Sequence, residues 1–218
     1  MKRLDKFAIL TLACLAVVIC AGCTSQKPAK APIKTLSRSL TGVNRVAFIE
    51  LAERNSHPGV GGDMTTALSH ALKGRGLFGV DVIDRQDPIC HDLPSLGRGG
   101  LTPSQVSGMH KTFQCDGILL GVVHDFRPHP RMQLGLSLRL LDLKRGRIVW
   151  AVDHVWDTAD KAVEKRVQEF FSDEIRSGFG PTDWRIAMIS PKVFEKFIAH
   201  ELAETLGAPI QVAQNRSE

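Results

Sequence analysis

The sequence predicts a single α/β sandwich, of two or three layers, on a mixed sheet of about five strands with flanking helices. Three observations carry this. Short apolar runs alternate with amphipathic helical segments through residues 45–123. Met132, Leu134, Leu136, Leu138 and Leu140 then occupy every second position, the period of a strand with one buried face. Two amphipathic helices follow, and these require an apolar sheet to cover.

The elements run in order. Arg45 to Leu51 has the apolar density of a buried strand, and a polar, Gly-rich turn follows from Asn55 to Gly62. Asp63 reads as the N-cap of a helix through Leu72, with Met64, Ala67, Leu68, Ala71 and Leu72 on one face and Gly74 and Gly76 as the stop. Leu77 to Ile83 forms a second strand. A long loop carries Pro88, Pro94, Gly97, Gly99 and Gly100. Thr102-Pro103 opens a helix, a cap followed by proline at the first helical position, with Val106, Met109, His110 and Phe113 inward. Asp116 to Val123 is another buried strand. The leucine strand and Ile148 to Trp156, with Ile148, Trp150 and Val152 alternating, make an antiparallel hairpin turned by Lys144 to Arg147. Asp160 to Ile175 is a helix with Val163, Val167, Phe170 and Phe171 on one stripe. Ser190-Pro191 opens a last helix, with Phe194, Phe197, Ile198, Leu202 and Leu206 inward and Gly207 closing it.

The leucine hairpin admits a second reading. Met132 to Leu140 has the length of a membrane-spanning β-strand, and Trp150 and Trp156 fit an aromatic girdle. The helices need this same apolar face for their own burial, so a core strand is the expectation.

The first residues have a different character. Lys2, Arg3 and Lys6 precede an apolar stretch from Phe7 to Ile19, interrupted by Thr11 and Cys14. This is the charge pattern and length of a secretion signal. Ala21-Gly22-Cys23 closes it and resembles the lipobox of bacterial lipoproteins, with Cys23 as the residue that receives a diacylglyceryl group. Cys20 stands where such boxes usually carry leucine. Thr24 and Ser25 follow in place of the Asp that retains lipoproteins in the inner membrane, which implies an outer-membrane anchor facing the periplasm. The expected organisation is a signal over 1–22, a lipidated flexible tether over 23–42, an α/β domain over 43–208 and a disordered tail over 209–218.

Composition agrees with export. The formal charge of +5 falls to +3 when the signal is removed, and no basic, aromatic-rich stretch offers a nucleic-acid platform. Cys14 and Cys20 leave with the signal. Cys90 and Cys115 remain, an even pair in a compartment that permits disulfides; they read equally as a disulfide or as two separate buried thiols.

Catalytic and ligand motifs are incomplete. Gly59-Val-Gly61-Gly62 lies between strand and helix, but no Gly-Lys-Ser/Thr ends it, and Asp63 at the helix start would repel a phosphate. His200-Glu201 lacks the second histidine of a zinc-peptidase helix; Glu204 stands there, and a solvated helix face is the expectation. Cys90-His91 has no partner at zinc-site spacing, and no nucleophile elbow is present. No enzyme, metal or cofactor is expected.

Five segments together suggest a family: Val46-Ala-Phe-Ile-Glu50; Thr65 to Leu72; Phe78-Gly-Val-Asp-Val-Ile-Asp-Arg85; Cys115-Asp-Gly-Ile-Leu-Leu-Gly121; and Leu140-Leu-Asp-Leu-Lys-Arg-Gly-Arg-Ile-Val-Trp150. Their order and spacing over Asn44 to Trp156 resemble the periplasmic lipoprotein superfamily of CsgG and LpoB, with the N-terminal domain of TolB similar in arrangement. The resemblance implies an anticodon-binding-like, TolB N-terminal-like fold. It also implies a non-enzymatic domain that docks onto envelope proteins or onto copies of itself. Residues 182–207 lie outside it. The expected function is a tethered adaptor or assembly factor of an envelope machine, with the loop Pro88 to Gly100 and the turn Phe126 to Arg131 as contact surfaces. The alternative is an oligomeric component of an outer-membrane secretion channel of the curli-secretion type.

Overall fold

The computed structural model describes residues 33, 35–54, 57–90, 102–177 and 183–206, with side chains of the helix ending at 177 described to residue 172. The chain divides into two compact units, Met1–Ala31 and Pro32–Glu218, and every described residue belongs to the second. The signal, Cys23, residues 91–100 of the long loop, Gly207 and the tail lie outside the described residues.

The strands are β1 (Thr35–Ser37), β2 (Arg45–Ile49), β3 (Ala52–Glu53), β4 (Gly79–Ile83), β5 (Gly117–Arg127), β6 (Gln133–Asp142) and β7 (Arg147–Asp157). The helices are α1 (Val60–Arg75), α2 (Pro103–Phe113), α3 (Lys161–Ser177) and α4 (Pro191–Thr205), with single tight turns of helix at Pro88–Cys90 and Trp184–Met188. The sheet order is β1-β7-β6-β5-β2-β4, with β3 paired to β5. β2, β4 and β5 are parallel; β6 and β7 form the antiparallel hairpin, and β1 runs antiparallel to β7. The expected α/β sandwich with a mixed sheet is present, with seven strands in place of about five.

The two additional strands have physical causes. Thr35–Ser37 falls inside the expected tether, yet it pairs with Trp150 to Val152 and Arg38 N–H donates to Val149 O at 2.7 Å. β7 would otherwise leave that edge unpaired, and the chain's own upstream residues satisfy it. β3 is the continuation of β2 after a break at Glu50 and Leu51. It pairs with Val122 and Val123, and Arg54 N–H reaches Val123 O at 3.0 Å.

The chain reverses direction across the sheet at β2. α1 links β2 to β4 on one side, and α2 links β4 back to β5 on the other. Right-handed crossovers in opposite directions place their helices on opposite faces, and burial follows. Met64, Leu68 and Leu72 of α1 enter the main core with Phe48, Leu119 and the β6 leucines. Val106 and Met109 of α2 enter a smaller core with Ile49, Ile118 and Leu120. His110, expected inward, is exposed, because the α2 contact is narrow. The β2–β5 half is therefore three layers. Over β6 and β7, α3 and α4 cover one face, and among the described helices none covers the other.

Met132, Leu134, Leu136, Leu138 and Leu140 are all at most 1% exposed, beneath α1, α3 and α4. Trp150, Val152 and Trp156 lie opposite Leu140, Leu138 and Leu134 on the same face. The leucine face is thus a core face. One detail of the alternation fails: the register shifts between Leu140 and Leu141, leaving Val149 as an extra residue. That bulge turns Val149 and Trp150 both into the main core and sends Ile148 to the smaller one.

α1 and α4 pack along their length, tied at the far end by Arg75 Nη1 to Glu204 Oε1 at 2.6 Å. At the near end Glu195 is 3% exposed. Burial first, and the carboxylate of Asp63 on α1 second, push its carboxyl up to about 7, against a smaller opposing pull from Lys192.

Two outcomes follow from this packing. Leu136→Ala in the acyl-less domain, in water without detergent, should lose about 2–5 kcal/mol in urea denaturation; an unchanged midpoint would place that face on lipid instead of core. For Glu195, the folded state binds the proton more tightly than the unfolded chain. Its favourable contribution is complete below about pH 4.5 and is lost as pH rises through about 7. Glu195→Gln should flatten the stability–pH curve across that window and stabilise the domain at pH 8 by about 2–3 kcal/mol.

Candidate functional site

In open α/β sheets ligands bind outside the carboxyl ends of the strands, where the strand order reverses. Here that place lies beyond β2 and β5, at the start of α1, and it is where the glycine-rich segment Gly59 to Gly62 sits. The crevice is filled by the chain itself. The N-cap of α1 is Gly59, four residues before the expected Asp63, and a side chain from β3 takes the free amides there. The Glu53 carboxylate accepts Gly61 N–H at 2.6 Å and Gly59 N–H at 3.1 Å. These are the amides that a phosphate would take at a helix N-terminus, where an anion is favoured. The close seating explains the glycine at 61: a Cβ there would lie 2.5 Å from Leu51 O and 3.0 Å from the Glu53 side chain.

Neighbouring groups close the rest. Thr65 Oγ1 accepts Leu51 N–H at 3.0 Å and donates to Gly61 O at 2.7 Å. Arg85 Nε donates to Glu50 O at 2.9 Å. Gly121 belongs to this junction too, since a side chain on it would collide with Leu51 and Leu138. Chemically the arrangement holds a strand break against a helix start. Glu53 has no signal in the sequence and Thr65 stands there only as the first residue of the family-like segment Thr65 to Leu72, because the contact joins residues whose roles depend on the break in β2.

The His200–Glu204 segment separates in space. Glu201, expected on a solvated face, is 3% exposed. Its Oε1 accepts Arg166 Nε at 2.9 Å and its Oε2 accepts Trp156 Nε1 at 2.9 Å. Glu204 turns to Arg75, and the His200 ring packs on Phe170 at 4.6 Å between centroids. The three side chains turn to different partners. Among the described residues no group of three or more His, Cys, Asp or Glu is placed to hold a metal. Beside this buried pair, His154 stacks edge-on to Trp156 at 4.6 Å. Burial, then the Arg166 charge, hold its pKa below the usual histidine range.

Cys90 and Cys115 are both buried and both free. This structure holds the two thiols apart, and strand register supplies the reason. Cys90 Sγ lies 3.5 Å from Asp84 O, level with Glu50, whereas the Cys115 thiol meets the backbone at Ala47. Three residues of strand, about 10 Å, separate those levels, far outside bonding reach. Burial raises both thiol pKa values.

At the opposite end of the sheet an open depression of about 290 Å³ is lined by His110, Lys111, Gln114, Cys115 and Asp116. Asp116 is committed to the fold there. It meets Lys144 Nζ at 2.6 Å and accepts Asn44 N–H at 2.9 Å, and its pKa is lowered, first by the Lys144 hydrogen bond. Of the two expected contact surfaces, Pro88–Cys90 is described, with Ile89 37% exposed. The turn after β5 is described throughout. Its Phe126 is buried against the His57 ring, edge-on at 5.3 Å, while Arg127, His129 and Arg131 are exposed.

No protein-family model and no curated protein matches the sequence. Solved structures do. The PelC dodecamer from Paraburkholderia phytofirmans is similar at a TM-score of 0.50 and 12% identity, over 82% of this chain and 99% of that one. The lipoprotein GNA1162 from Neisseria meningitidis is similar at 0.41 and 11%, over 62% of this chain and 99% of that one. The LpoB C-terminal domain from Salmonella enterica gives 0.37 and 18%, over 52% and 82%. The chain thus has the mixed α/β fold of the PelC structure.

Proposed function

We propose that this chain is a non-enzymatic adaptor or assembly factor of the bacterial envelope, anchored through a lipid on Cys23 to the outer membrane and facing the periplasm. The observation that carries the reading is the filled switch point. The place where an α/β sheet holds a ligand is occupied by Glu53, so the sheet's binding capacity is directed to its outer surfaces. The lipobox-like Ala21-Gly22-Cys23 supports the address. A second reading, self-assembly into a ring, is favoured by the likeness to PelC, whose structure is a dodecamer. It has to proceed through the soluble domain, since the leucine hairpin is engaged in the core.

Growth with radiolabelled palmitate should label the wild-type chain and leave Cys23→Ser unlabelled and released from the membrane. Label retained by Cys23→Ser would refute the anchor. Crosslinking in intact envelopes, followed by mass spectrometry, should recover a heterologous envelope protein bridged to the outer surface of the domain. Recovery of crosslinks only between copies, with a defined oligomer in sedimentation, would replace the adaptor by the ring.

A further inference from the structure

The sheet ends on one side at β4. That strand is last in the sheet order, and among the described residues no strand pairs with its outer side. Gly79 N–H donates to Asn44 O at 2.8 Å, and Ile83 O accepts Glu50 N–H at 2.9 Å. Alternate residues of a strand turn their backbone groups to opposite sides, so Gly79, Asp81 and Ile83 face β2. Val80 and Val82 therefore present their N–H and C=O groups outward, a template for one more strand. The edge lacks the devices that discourage pairing. β4 reads Gly-Val-Asp-Val-Ile, without proline or lysine, and its register with β2 is unbroken by a bulge.

The side chains along this edge are apolar on one face and acidic on the other. Val82 lies on the main-core face in register with the fully buried Phe48, yet it is 46% exposed, because β4 ends the sheet. Leu77, just before the strand, is 41% exposed, and Ile89, in the turn after it, is exposed as well. Single apolar residues are ordinary on a surface, but three along one open edge mark a contact. Charge narrows the occupant. The exposed charges between Gly79 and Ile89 are all acidic: Asp81, Asp84 and Asp87. Arg45 meets Asp81 from β2 at 2.6 Å, and Arg85 turns inward, its Nε donating to Glu50 O. A second copy fits poorly. The two-fold antiparallel pairing that uses every outward group sets Val80 opposite Val82 and one Asp81 opposite the other, a like-charge contact. A strand with a basic residue at that position is complementary.

We propose that the outer edge of β4 is the docking site for an extended segment of a partner protein, which adds to the sheet as a further strand with apolar side chains beside Val82 and a basic one opposite Asp81. Backbone bonds to Val80 and Val82 supply the affinity, and the alternating side chains supply the selectivity. This gives the adaptor a surface, and it rests on that reading for the existence of a partner.

The test uses the full-length chain in detergent micelles and two blocked heptapeptides, one alternating valine with lysine and the other valine with glutamate. Hydrogen exchange is followed by mass spectrometry over residues 77–85, with residues 35–38 at the other edge as reference. The valine–lysine peptide should slow the fast-exchanging amides of 77–85 several-fold and leave 35–38 unchanged, at a several-fold lower concentration than the valine–glutamate peptide. Val82→Lys, at a half-exposed side chain, should remove the slowing without moving the urea midpoint, and Asp81→Lys should reverse the order of the two peptides. Unchanged exchange over 77–85 at millimolar peptide overturns the docking site, as does slowing that survives Val82→Lys. Equal action of the two peptides, or an order that Asp81→Lys does not reverse, overturns the basic partner. Slowing that grows with protein concentration in the absence of peptide makes the occupant a second copy and overturns the proposal. None of these results touches the adaptor reading, which the envelope crosslinks test separately.

Discussion

A face of leucines at alternate positions can be withdrawn from water only once. In β6 that face is spent on α1, α3 and α4, and most of the architecture follows. The three helices have to reach a sheet that they cross on one side, which forces the long passage from α3 through the turn at Trp184–Met188 into α4. Trp150 and Trp156 on β7 enlarge the face so that it spans two strands beyond the parallel half. The same leucines, exposed to lipid, would leave Phe194, Phe197, Ile198 and Leu202 without cover. Burying side chains of this size is worth about 1.5–3 kcal/mol each, so a membrane-inserted hairpin would cost the domain its core.

Such a cover would slide if it were wholly apolar. The few buried polar groups supply position. Trp156 and Arg166 converge on the two oxygens of Glu201, linking β7, α3 and α4 in one cluster, and Trp150 donates to Thr205 at 2.9 Å. A buried ion pair is weak evidence for added stability, since desolvation offsets the attraction. Its value here is directional, because only one arrangement of α3 over α4 satisfies both carboxylate oxygens. Glu53 acts in the same way at the start of α1, where it joins a strand break to a helix terminus.

Much of this was legible in the sequence. The α/β class, the hairpin, the crossover helices and the inner faces of α1 and α4 all follow from periodicity, because each apolar pattern matches a single element type. Less legible were features that depend on pairs of distant residues. Thr35–Ser37 is polar enough to read as tether and becomes a strand only because β7 offers an edge. Val149 joins the core through a bulge that no alternation rule anticipates. Glu201 looks like one of several charges on a helix until Arg166 and Trp156 are brought to it. Cys90 and Cys115 share one small core at different strand levels, and parity alone could not separate them. The filled crevice was half legible: the absent phosphate motif could be seen at Gly59 to Gly62, but not the carboxylate that takes its place.

The strand β1 also changes the meaning of the tether. Counted to the expected domain boundary, about twenty residues would separate the lipid from the fold; counted to Thr35, twelve do. With the lipid at Cys23 as proposed, the domain is confined to a layer above the bilayer. Confinement raises the effective concentration toward anything in the same layer. An adaptor held in this way needs only a weak contact, and a small exposed surface such as the end of a sheet is sufficient to make one.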